Sequence, residues 1–196
     1  MNLFPIHREQ GRSTQRSDAQ QNRTRLLEVA RSALLEAHDA SLNSIAKQAG
    51  VGIGTLYRHF PTREALMLAV YRHDVQELVD AAPALLAAHP PQEALRLWFG
   101  HLAWYGQVKH GLAGAFSAAT SADLSGEYYG QVVGAIRLLL NAGQTAGVVR
   151  PDIEADEVLL MLGFLWRIDS TDWQQRSRHM LDVVMDGLLR KPETES

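Results

Sequence analysis

Between Gly50 and Glu64 the chain reads GVGIGTLYRHFPTRE, and Thr55, Tyr57, Arg58 and His59 crowd into five positions of it. Hydroxyl, phenol, guanidinium and imidazole groups all bond phosphate oxygens, while Thr55 and Ile53 can also touch a base edge or a thymine methyl. Gly54 carries no side chain, so backbone at that point can approach a ligand closely. Arg63 follows just beyond Pro61, and Arg23, Thr24 and Ser41 stand at the starts of neighbouring helices. Leu56 and Phe60, four apart, form an inward apolar pair on the same short helix, which leaves the polar set facing out. The chemistry on offer is recognition of nucleic acid rather than bond making.

The elements that hold this face are legible in the same stretch. Ser41 is a helix N-cap, and Leu42, Ile45, Ala46 and Ala49 recur at helical spacing behind it. Gly50 ends that helix, because glycine enters the left-handed conformation without a Cβ penalty. A second helix then carries Ile53 to His59, Pro61 stops it, and Thr62 caps the next. Two short helices about a glycine turn make a helix-turn-helix, whose second helix can lie in a major groove. Ala46 is small enough for the two helices to cross closely. A preceding helix over Arg23–Ala37, with Leu26, Ala30, Ala33, Leu34 and Ala37 inward and Asn22 as cap, completes a three-helix domain.

Ile45-Ala46, Ala49-Gly50-Val51, Gly54-Thr55-Leu56-Tyr57-Arg58-His59-Phe60 and Arg63-Glu64-Ala65-Leu66 together resemble the DNA-binding domain of the TetR/AcrR family of transcriptional regulators. The likeness covers about residues 22–70 and is far more specific than a generic helix-turn-helix pattern. Family members often carry Ser or Thr where this chain has Gly52, and a polar residue where it has Ile53. That departure weakens the cap of the recognition helix and makes base readout more apolar. Two other readings of the stretch are weaker. GVGIG lacks the preceding strand and the third glycine of a dinucleotide fingerprint. A helical hairpin without a DNA role would not explain the outward residues.

Charge is divided along the 196 residues. Residues 1–63 hold 9 Lys and Arg against 5 Asp and Glu, a net of +4, while 64–196 hold 10 against 17, a net of −7. A basic end on an acidic body fits DNA binding by one end. Hydrophobic residues are 46% and charged ones 21%, a globular balance, and cysteine is absent, which excludes disulfides and cysteine zinc sites. With no long apolar run and a polar N-terminus, neither a membrane span nor a secretory signal is expected, and the expected location is the cytoplasm.

Residues 1–21, rich in Gln, Arg and Ser, read as a flexible arm in which Arg8, Arg12 and Arg16 could follow phosphates or enter a minor groove. Residues 22–70 form the DNA-binding domain, and 71–196 a larger helical domain. A long helix from Arg63 joins the two, kinked or interrupted at Pro83 and ended by Pro90-Pro91. Gln92 to Lys109 is apolar nearly all round, as in a buried central helix. A short helix over Leu112–Ala119, a loop over Thr120–Gly126 and a helix over Glu127–Ala146 follow. Gly147 stops that helix, and a last pair spans Ala155–Arg167 and Asp172–Leu189. The fold class is all-α, about nine helices with no strand.

The family resemblance implies a homodimer through the last two helices, an effector pocket in the body and a palindromic double-stranded DNA operator. Leu159, Leu162, Gly163 and Trp166 on one helix, with Met180, Val183, Val184 and Leu188 on the other, suit the dimer contact. Trp98, His101, Leu102 and Tyr105 share one side of the central helix, and Phe116, Tyr128 and Phe164 lie on segments expected to surround it. That lining suits an apolar or aromatic small molecule. No acidic residue falls on the central stretch of that helix, which disfavours a strongly cationic one, although Asp123, Glu127 or Asp169 could approach. The eight histidines lack metal-ligand spacing, and His73 with Glu77 is a surface pair rather than half a site. No metalloprotease, phosphate-loop or nucleophile-elbow pattern occurs. Neither an enzyme nor a cofactor is expected. A ligand-responsive repressor is the leading reading. The others are a DNA-binding protein without an effector and a helical small-molecule binding protein or enzyme.

Overall fold

The computed structural model describes residues 9–36, 40–112, 118–168 and 172–190. These residues form α1 (Glu9–Glu36), α2 (Leu42–Ala49), α3 (Ile53–His59), α4 (Arg63–Ala88), α5 (Pro91–Leu112), α6 (Ala118–Thr145), α7 (Ala155–Met161), a 3-10 helix (Leu162–Trp166) and α8 (Trp173–Leu188). The architecture is all-α. The chain divides into two units, Met1–Val70 and Tyr71–Ser196, with the boundary inside α4.

In the first unit α1 presents Leu26, Leu27, Ala30, Ala33 and Leu34 to the core, and α2 adds Ile45, Ala46 and Ala49. Leu56 and Phe60 of the α3 segment close it, together with Leu66, Met67 and Val70 from the start of α4. Helix α1 begins at Glu9 and not at Arg23, so most of the stretch expected as a flexible arm continues the helix. From Arg12 to Asn22 no proline or glycine breaks the backbone, and Asn22 favours a cap without imposing one.

In the second unit α5 packs with α6, α8 and the 3-10 helix. Trp98 is fully buried and its indole Nε1 donates to the Leu78 carbonyl of α4 at 2.8 Å. Pro83 neither ends nor interrupts α4, which continues to Ala88. The helix α5 is not buried all round: Leu97, Gly100, His101 and Trp104 are exposed. The expected loop Thr120–Gly126 is instead part of α6, and the short helix expected over Leu112–Ala119 falls mostly on residues 113–117, outside the described ones.

Gly147, at φ 70°, ends α6, and the amides of Val148 and Val149 return to the Gly143 carbonyl. Val149 then pairs in an isolated antiparallel bridge with Leu189. Arg150 N donates to Leu188 O at 2.9 Å and Arg190 N to Val148 O at 3.0 Å, tying the end of α8 to this loop. The Arg150 guanidinium grips Asp152 at 2.6 and 2.7 Å, which holds the Asp152 carboxyl down at about 2. The last helical pair differs from expectation. Helix α7 tightens into a 3-10 helix at Leu162, where Gly163 is a poor helix former.

Candidate nucleic-acid interface

The recognition face is assembled from backbone caps outward. Ser41 Oγ accepts from Ser44 N at 3.1 Å and so starts α2 with one orphan amide satisfied. Gly50, at φ 68° and ψ 26°, closes α2: its amide and that of Val51 return to Lys47 and Ala46 carbonyls at 3.2 and 3.0 Å. A residue with a Cβ would be strained there. Gly52 starts α3 with no side chain, and its carbonyl receives the amides of Thr55 and Leu56 at 2.9 and 3.1 Å. The Phe60 amide ends α3 on Leu56 O at 2.8 Å. Thr62 Oγ1 accepts from Ala65 N at 3.1 Å to start α4.

Leu56 is 0% and Phe60 4% exposed, which fixes the rotation of α3 about its axis. Its other positions, Ile53, Gly54, Thr55, Tyr57, Arg58 and His59, all face solvent. Ile53 and Tyr57 are conspicuous among them at 43% and 46%, because large apolar surface is left in water on so short a helix. Arg23 is exposed and its guanidinium lies 5.8 Å from the centre of the Phe60 ring, a cation–π contact that ties the cation beside the end of α3. Thr24 is half-buried and Ser41 exposed. Arg63 is half-buried, and its Nη1 donates to Ala40 O at 2.9 Å. That guanidinium therefore also locks the start of α4 to the residue before Ser41, a role its sequence position did not reveal.

The residues expected to line an effector pocket separate. Trp98, Leu102 and Tyr105 are buried, whereas Tyr128 and Phe164 are half-buried. His101 is exposed on α5, off the lining expected for it, and Phe116 lies outside the described residues. Tyr71, unnoticed in the sequence, joins this cluster, with ring centres 5.8 Å from Tyr105 and 6.1 Å from Tyr128. Burial pushes the Tyr105 phenol far up, aided by Tyr71 and by Asp74. Asp74, only 2% exposed on α4, is a second residue the sequence did not flag. It puts a carboxylate beside the aromatic cluster, from a helix other than the one searched for acids.

The dimer set also divides. Leu162 and Leu188 are core side chains of their own unit, at 1% and 0% exposure, and not surface residues as expected. Leu159, Gly163 and Val184 are half-buried, Met180 and Val183 exposed, and the Trp166 side chain lies outside the described ones. Leu160 at 77% and Met161 at 41% are exposed apolar residues on α7 that the sequence reading missed. No helix among the described residues is long and apolar enough to cross a membrane. No group of three or more potential metal ligands occurs among them either.

Comparison with known proteins adds to this geometry. Residues 26–70 match the family described as bacterial regulatory proteins, tetR family, and residues 90–190 match the C-terminal domain of SbtR-like transcriptional regulators. A TetR transcriptional regulator from Streptomyces coelicolor is similar in structure at a TM-score of 0.78, with 38% identity over 87% of this chain and 99% of that one. A TetR transcription regulatory protein from Mycobacterium vanbaalenii gives 0.71, with 34% identity over 89% and 99%. An HTH-type transcriptional regulator of Staphylococcus aureus (strain USA300) is 42% identical over 62 residues, 31% of this chain and 34% of that protein. The match thus spans about a third of that relative's length.

Proposed function

This chain belongs to the TetR family of DNA-binding transcriptional regulators, and we propose that it is a homodimeric repressor released from a two-fold symmetric operator by a small apolar or aromatic effector. One observation carries the reading: α3 buries Leu56 and Phe60 and turns every other side chain outward. Thr55 and the Ile53-Gly54 backbone meet base edges, while Tyr57, Arg58, His59 and Arg63 meet phosphates, with Arg23, Thr24 and Ser41 along the flanking backbone. The units are divided as 22–70 for DNA and 71–196 for effector and partner. A single seven-residue recognition helix makes few base contacts, and pairing two copies doubles them.

The partner copy is supported by Leu160, Met161, Met180 and Val183, apolar side chains exposed on α7 and α8. Leu159, Gly163, Trp166 and Val184 are assigned to the same contact. The effector reading is supported by Trp98, Leu102, Tyr105, Tyr128 and Phe164 together with Tyr71. Release requires that the effector bind the DNA-incompetent state more tightly, so by linkage operator DNA weakens effector binding equally. The test is selection of bound duplexes from a random library by the purified chain, with the enriched sequence then sought at its own promoter. A symmetric sequence found there is the expected result. Enrichment of no sequence would overturn the regulatory reading.

A further inference from the structure

The face of α5 turned away from Trp98 and Tyr105 borders a groove of about 450 Å³ against α8. Phe99 and Trp104 of α5 and Trp173, Leu181 and Met185 of α8 give it apolar and aromatic walls. Its size falls within the range of small-molecule sites. Trp104 is 41% exposed although it sits mid-helix, where an indole normally buries itself.

The groove exists because α5 carries Gly100 and Ala103 along it, where larger side chains would fill the space. A Cβ built on Gly100 meets nothing within 4 Å. No close helix crossing therefore accounts for a glycine that helix formation disfavours. The rim is charged and unevenly so. Arg96 bridges to Asp182 at 3.2 Å across the two helices, while Arg178 has no carboxylate partner among the described residues. The balance of two guanidinium groups against one carboxylate leaves one positive charge for an occupant. A guanidinium receives a carboxylate in a two-pronged geometry that few other pairs match.

We propose that this groove is a binding site for a planar aromatic monocarboxylate, its ring along the groove wall beside Trp104 and its carboxylate on Arg178. The site lies on the opposite side of α5 from the Tyr71–Tyr105 cluster and does not depend on the effector reading given above.

Calorimetric titration of the full chain with 2-naphthoate and its neutral counterpart 2-naphthamide tests this. Wild type should bind one naphthoate per chain, at least about tenfold more tightly than the amide, as a charge-assisted pair predicts. Arg178→Gln should erase the preference for the acid while leaving the amide unchanged. Gly100→Leu, placed where a Cβ has open space, should abolish binding of both with a melting temperature no lower than that of wild type. Equal affinity for acid and amide, or an unaltered preference in Arg178→Gln, would overturn the ligand class. Naphthoate binding that survives Gly100→Leu, or is absent in wild type at millimolar concentration, would overturn the site.

Discussion

Ser41 illustrates how one side chain can serve two ends. Its hydroxyl caps α2 and is exposed beside the recognition face. Ser41→Ala should cost about 1 kcal/mol of stability through the lost cap. Ser41→Asp keeps an acceptor for the Ser44 amide and should leave denaturant midpoints near wild type, but its negative charge should weaken DNA binding. Equal DNA affinity in Ser41→Asp and wild type would remove Ser41 from the interface. Residues of this kind were legible because caps, glycine stops and i, i+4 apolar pairs are local. Thr55, Tyr57, Arg58 and His59 could be placed outward from Leu56 and Phe60 alone. His101, Tyr71 and Asp74 could not, since spacing gives an angle on one helix but not which neighbours lie around it. The aromatic cluster needs α4 and α6 against α5, and the groove needs α8 on the other side.

At the scale of elements, two helical glycines make opposite predictions. Gly100→Ala meets open space and should raise stability by about 0.5–1 kcal/mol through helix propensity. Gly143 lies under the turn that ends α6, where an added Cβ would come within 2.5 Å of Val149 Cγ2, itself buried. Gly143→Ala should therefore destabilise by about 1–3 kcal/mol despite the better propensity. Chemical denaturation of both variants reads the difference in sign. The loop beyond Gly147 makes a pH prediction. The Asp152 carboxyl is held at about 2, below its ordinary 3.8, chiefly by its hydrogen bond with Arg150. A depressed carboxyl stabilises the fold above its unfolded value and loses that contribution as pH falls from 3.8 toward 2. Arg150→Ala should return the Asp152 titration, followed by carbonyl NMR, toward the ordinary value. About nine helices were expected and eight α-helices with one 3-10 helix form among the described residues; the class of these helices was visible from periodicity and from Gly50, Pro61 and Gly147. Their extents were not: Asn22 and the Ser and Gly of Thr120–Gly126 are weak breakers that α1 and α6 override, and Pro83, a strong one, is nonetheless carried inside α4.

At the scale of the whole molecule, a basic amino-terminal part, net +4 over residues 1–63, precedes an acidic body, net −7 over 64–196, for which pairing is proposed. Met180→Glu with Val183→Glu places two charges on the exposed apolar side of α8 and should yield a folded monomer by sedimentation, with operator affinity reduced. A wild-type chain that sediments as a monomer at micromolar concentration would contradict the pairing. The central claim is that the outward face of α3 grips DNA, and titration of a selected operator duplex across a salt series measures it most directly. Arg58→Ala should weaken binding to every duplex and lower the salt slope by about 1, while Thr55→Ala should keep the slope and lose discrimination at one or two base pairs. Wild-type affinity and slope in both variants would contradict it.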